Sequence, residues 1–143
     1  MGTRAARHRD EYGQTKFWQL FVILIVLVVL GYDALSPQIV KLQLSDKAKS
    51  AALDASQTAV RSAAASYAEK YNTVCSIVVK NLQEYGAKLI PPRPGSDCPD
   101  LDLDGTVTFS AEKPAPSLVL KHLGLRNYYT VRVDVNVRFS GGI

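Results

Sequence analysis

Residues 17–32 read FWQLFVILIVLVVLGY, sixteen positions in which Gln19 is the only clearly polar side chain. A run this apolar must be covered by lipid or by protein, so its placement constrains everything that follows. As a helix it covers about 24 Å at 1.5 Å per residue, a little short of the ~30 Å hydrocarbon core of a bilayer. Ala34 and Leu35 extend it, with Asp33 expected near the headgroups. Trp18 and Tyr32 stand at its two ends, where amphipathic rings settle, and Lys16 can snorkel to the near surface. The expectation is one transmembrane helix over 17–36. Two other readings compete. A buried core helix fits a Leu-, Ile- and Val-dominated run near the N-terminus less well. A cleaved signal peptide needs small residues just past the run, and bulky Tyr32 lies two before Ala34.

Charge gives the run a direction. The first sixteen residues hold Arg4, Arg7, Arg9 and Lys16 against Asp10 and Glu11. Short basic flanks stay in the cytoplasm, so residues 1–16 read as a cytoplasmic leader and 37–143 as an extracytoplasmic domain on a cell membrane. The formal net charge of +4 divides into +2 before the run and +2 after it, too balanced to argue for nucleic-acid binding. The two cysteines, Cys75 and Cys98, both fall on the outer side. An oxidising compartment favours one disulfide between them over two free thiols.

Beyond the run, Pro37 either kinks the helix or starts a new one. No Gly or Pro occurs from Gln38 through Tyr85, and alanine, the best helix former, is frequent. Leu44, Ala48, Ala51, Ala52, Ala55, Ala59, Ala63 and Tyr67 recur at three- and four-residue steps, which predicts a helix over 38–71 with one small-residue face. That stripe is either a packing surface for a partner or further copies of the chain, or the seat of the chain's own second helix and sheet. Bulking it, as in Ala55→Leu, is expected on the first reading to disrupt a complex without unfolding the domain. Asn72 reads as a break, and Val74, Ile77, Val78, Leu82, Tyr85 and Leu89 predict a second helix over 73–86, capped by Gly86. Val78 and Val79 leave a strand open for its first half.

A turn-rich Cys loop over 87–100 comes next, including PPRPGSDCPD. Leu101, Leu103, Val107 and Phe109 around Asp104-Gly105 predict a hairpin, or a turn into one strand, ended by Pro114 and Pro116. Residues 117–123, SLVLKHL, read as a short helix capped by Ser117 and stopped by Gly124. In YYTVRVDVNVRF, Val131, Val133, Val135 and Val137 alternate with Arg132, Asp134, Asn136 and Arg138, a strand with one buried and one wet face. The sheet of two to three antiparallel strands over 101–139 has the helices to pack against. The expected class is α+β, rooted on a long N-terminal helix.

Asp10-Glu11-Tyr12-Gly13-Gln14, the apolar run and LQLSDKAKSAALDAS from Leu42 to Ser56 together resemble the TadE/TadG-like proteins of tight-adherence (Flp, type IVc) pilus assembly. TVTFSAEKPAP, SLVLKHLGL and the Val-rich last strand are similar to that family's C-terminal strand, short helix with Leu-Gly and final strand. The resemblance implies a basic leader, a membrane helix, an Ala-rich helix and a role in pilus or secretion-system assembly through protein contacts. It marks Gly13 as the candidate processing site. The fifth residue after Gly13 is Trp18, where polymerising pilins usually carry Glu, so what is implied is a pilin-like accessory protein rather than a major pilin.

Enzymatic chemistry is not expected. His122 is the only histidine beyond the run, and no GxSxG, HExxH or phosphate-cradling glycine loop occurs. One alternative function remains, that of an envelope-anchored binding module. Asp100, Asp102, Asp104 and Gly105 match the first half of a calcium loop, with Asp97 as a further ligand, while position twelve is Ala111 rather than a bidentate acid. A solvated acidic turn explains the same residues, and no cofactor is otherwise expected. A small accessory subunit of a larger membrane complex is the remaining alternative.

Overall fold

The computed structural model describes residues 7–62, 65–124 and 129–138. Its frame is one helix, α1 (Arg7–Arg61), 55 residues long with Pro37 inside it. Proline removes the amide that would bond the carbonyl of Asp33, but one lost rung does not stop a helix held by packing on one side. The apolar run and the Ala-rich stretch are therefore a single element. The helix ends earlier than its periodicity predicts, because Ser66 starts a new one. In α2 (Tyr67–Glu84) the Ser66 hydroxyl accepts the Glu69 amide while the Glu69 carboxylate accepts the Ser66 amide. This capping box, not Asn72, marks the break. At its other end the expected Gly86 cap is present at φ +71, with Gly86 N–H on Gln83 and Ala87 N–H on Leu82, a Schellman motif.

Among the described residues four strands follow, more than the two to three expected: β1 (Lys88–Ile90), β2 (Asp100–Leu101), β3 (Val107–Pro114) and β4 (Thr130–Val137). The expected Cys loop over 87–100 thus contains β1 and opens β2. All pairings are antiparallel and all use β3. β4 lines the whole of one edge, from Val107↔Val137 to Pro114↔Thr130. β1 and β2 take separate parts of the other. Between β3 and β4, residues 120–123 make one 3-10 turn, ended by Gly124 at φ +73 as expected. Ser117 does not cap it; its hydroxyl is directed elsewhere, as described below.

The core lies between α1, α2 and one sheet face. Val107, Phe109, Ala111, Val131 and Val135 point inward from the sheet and Val74, Val78 and Leu82 from α2. The opposite sheet face carries the rung Lys88–Glu112–Arg132, alternating charges with the two basic ends exposed and Glu112 half-buried between them. The Val alternation of β4 holds as expected; Tyr128, Phe139 and the Gly-Gly-Ile tail lie outside the described residues.

Candidate functional site

The two halves of α1 differ in what surrounds them. From Phe17 to Leu30 the large apolar side chains stand exposed except half-buried Val29; Trp18, Leu24 and Leu27 are each about 60% exposed. The helix that carries this segment is long and apolar enough to cross a membrane, by length and composition. Burial begins abruptly at Asp33 and continues through Ser36, Val40, Leu44, Ala48, Ala51, Ala52, Ala55, Ser56 and Ala59. Their spacing of three and four is one helix face.

That face settles the two readings of the small-residue stripe. Leu44, Ala48, Ala52 and Ala55 are completely buried, by α2 and the sheet of the same chain. The stripe is the domain's own core and is not available to a partner; Ala63 lies outside the described residues. Small side chains let α2 and the sheet approach the α1 backbone closely. At the far end Ser56 donates to the carbonyl of Gly105 at 2.6 Å, and a Cβ on Gly105 would meet Val60 at 3.0 Å.

Asp33 is the first buried residue among those described and the least expected. Placed at the headgroups by the sequence, it is instead 1% exposed and turned against the loop after β3. Its carboxylate accepts the amides of Leu118 (2.7 Å) and Val119 (3.1 Å) and the Ser117 hydroxyl (3.3 Å). One turn on, the Ser36 hydroxyl donates to the Pro116 carbonyl at 2.6 Å. A charge is tolerable at such a site only when hydrogen bonds replace its water, and these do. Two polar side chains of α1 thus fasten residues 116–119 beside the end of the apolar run. Their partners lie eighty or more positions away, so no local pattern could reveal them.

The acidic residues are arranged along a hairpin rather than around a point. Asp100 pairs with Arg93 at 3.1 Å. Asp104 accepts the Thr106 amide and faces Arg138 at 3.5 Å. Hydrogen bonding from Thr106, and secondarily the Arg138 guanidinium, holds the Asp104 carboxyl below the usual carboxylate range. Asp102 contributes backbone contacts to the turn, its amide bonding Thr106 and its carbonyl Gly105. Among the described residues no group of three or more His, Cys, Asp or Glu side chains gathers into a metal-binding cluster. The hairpin turn borders a cleft of about 340 Å³ with Val60, Tyr67 and Lys70.

Cys75 and Cys98 are joined in a disulfide, Cα to Cα 5.1 Å, tying α2 to the loop that leads into β2. Ser96 organises that loop: its hydroxyl accepts the Cys98 amide and contacts the Tyr71 hydroxyl at 3.3 Å. Gly13 lies in the first turns of α1, and His122 is exposed on the 3-10 turn.

The chain matches no family model, no curated protein and no solved structure in comparisons with each. The geometry is that of an apolar rod joined by one continuous helix to a disulfide-bonded α+β domain. Within the domain Lys113 ties β3 to the end of α2, its ammonium donating to the Tyr85 carbonyl at 2.7 Å and lying 3.5 Å from the Tyr85 ring centroid.

Proposed function

We propose that the protein is a single-pass, membrane-anchored, pilin-like accessory component of a pilus or secretion assembly. Residues 1–16 lie in the cytoplasm and the domain outside, in a bacterial envelope. The observation that carries this reading is the two-part α1, apolar and uncovered before Asp33, then buried as the core helix of a small antiparallel domain. No hinge loop separates anchor from domain, so lateral contacts made by the anchor orient the domain directly. The basic leader supports the orientation. The disulfide suits an oxidising compartment. The order of β3, a short turn ending Leu123-Gly124 and Val-rich β4 supports the resemblance to TadE/TadG-like proteins.

With the Ala stripe committed to the domain's own core, partner contacts fall to the uncovered surface of α1. Beyond the apolar run this surface includes Leu35, Ile39 and Leu42, all more than half exposed. The test is cross-linking from photoreactive residues at Ile39 and Leu42 in native membranes, with the N-terminal mass of the recovered protein. Discrete adducts to pilus or secretion components support the assembly role. Adducts to none of them, with piliation unchanged when the chain is deleted, overturn it. A mass beginning after Gly13 adds prepilin-type processing; one beginning at Met1 or Gly2 leaves a plain anchor.

A further inference from the structure

We propose that residues 117–123 form a second lipid-contacting element, seated in the outer leaflet beside the end of the α1 anchor. The inference rests on the membrane reading above and extends it to a part of the chain 85 positions away. The run of residues 17–32 is about 24 Å long, and the further turn over 33–36 brings it to about 30 Å, the thickness of the hydrocarbon core. That last turn contains Asp33 and Ser36, polar groups that cannot face lipid unsatisfied.

Both are turned inward and closed by residues 116–119. The Leu118 and Val119 amides and the Ser117 hydroxyl lie on the Asp33 carboxylate, and the Ser36 hydroxyl lies on the Pro116 carbonyl. The Asp33 bonds fix Leu118 and Val119 at the height of residue 33, one step past the apolar run. What this cap presents outward is apolar: Leu118, Val119 and Leu123 are 54%, 40% and 64% exposed. Residues 117–124 include no acidic side chain, and exposed His122 suits the headgroup zone. The apolar surface of the anchor therefore continues onto the cap without a polar break at Asp33, and a bilayer is the occupant that covers both. The cap makes a carboxylate in the last turn of a span compatible with the membrane boundary.

The test uses the full chain in phosphatidylcholine–phosphatidylglycerol vesicles. Both native cysteines are disulfide-bonded, so one introduced thiol carries an environment-sensitive fluorophore. Leu118→Cys and Leu123→Cys are compared with Leu24→Cys in the anchor and Leu103→Cys at the distal hairpin, all at exposed positions. The expected result is blue-shifted emission at 118 and 123, quenched by shallow lipid-attached quenchers several-fold more than at 103. Deep quenchers act chiefly on 24. Quenching at 24 with 118 and 123 behaving like 103 overturns the inference and leaves the anchor standing. A blue shift at 118 and 123 without lipid quenching overturns it in favour of a second copy of the chain. Absence of quenching at 24 removes the membrane reading and the inference together.

Discussion

The Asp33 carboxylate accepts the Leu118 amide at 2.7 Å, joining the end of the apolar run to the loop after β3. Bonds of this charged kind contribute about 1.5–3 kcal/mol each, and losing the acceptor leaves donors without a partner. Asp33→Ala is therefore expected to lower stability by about 3 kcal/mol. Asp33→Asn, which keeps one carbonyl oxygen, is expected to cost less. Urea unfolding in detergent gives the energies. Hydrogen exchange localises them: the amides of Leu118 and Val119 are expected to lose protection first. Unchanged protection there would refute the tether.

Ala55→Leu distinguishes an internal stripe from a partner surface. Ala55 is fully buried among α1, α2 and the sheet. Added methylenes in a close-packed core cost about 1–3 kcal/mol. The expected outcome is a lower melting temperature of the isolated protein, opposite to the intact domain expected if the stripe met a partner. A melting temperature equal to the parent's contradicts the packing described.

Gly105 answers two demands at once. Its φ of +84 is left-handed, and its missing Cβ makes room for Val60. Gly105→Ala is expected to cost about 1–2 kcal/mol from backbone strain alone, before Val60 moves. A stability within experimental error of the parent would show that the turn relaxes freely.

Reducing the Cys75–Cys98 bond, or replacing both residues by serine, releases a loop with a sequence separation of 23. Chain-entropy arguments give about 3 kcal/mol for a closure of this size. In a domain of about a hundred residues that corresponds to a fall of roughly 10–20 °C in melting temperature, read by calorimetry with and without reductant.

The Asp104 carboxyl is held low chiefly by the Thr106 hydrogen bonds and then by Arg138. A depressed folded pKa stabilises the fold above the unfolded value and loses that contribution as pH falls through the folded one. The hairpin is accordingly expected to keep this stabilisation at neutral pH and lose it only in acid. NMR titration of Asp104 is expected to give a value below that of ordinary aspartates, rising in Thr106→Val. A titration in the ordinary range in the parent protein would contradict the hydrogen bonding.

Features that act through neighbours in sequence were legible. The apolar run, the Val alternation of β4, the Gly86 and Gly124 stops and the Asp-Gly hairpin turn each follow from local pattern. The Ser66–Glu69 capping box was also written locally, as Ser-x-x-Glu, but the alanine periodicity running through it concealed the break. Lys88–Ile90 is too short between Gly86 and Pro91 to show a period of two, and becomes a strand only because β3 offers it an edge. Asp33 lay beyond reach for a different reason. A carboxylate next to an apolar run reads as a boundary residue, and its burial depends on amides supplied from the other end of the domain.

The proposed function requires α1 to be one helix that is lipid-covered before Asp33 and protein-covered after it. The direct measurement is alkylation of single introduced cysteines by a membrane-impermeant maleimide on whole cells, before and after detergent. Leu20→Cys, Leu24→Cys and Leu27→Cys are expected to stay unlabelled until detergent is added, while Leu53→Cys and Leu103→Cys label at once. Labelling at residue 24 in intact membranes, or protection at 53 and 103 on whole cells, would contradict it.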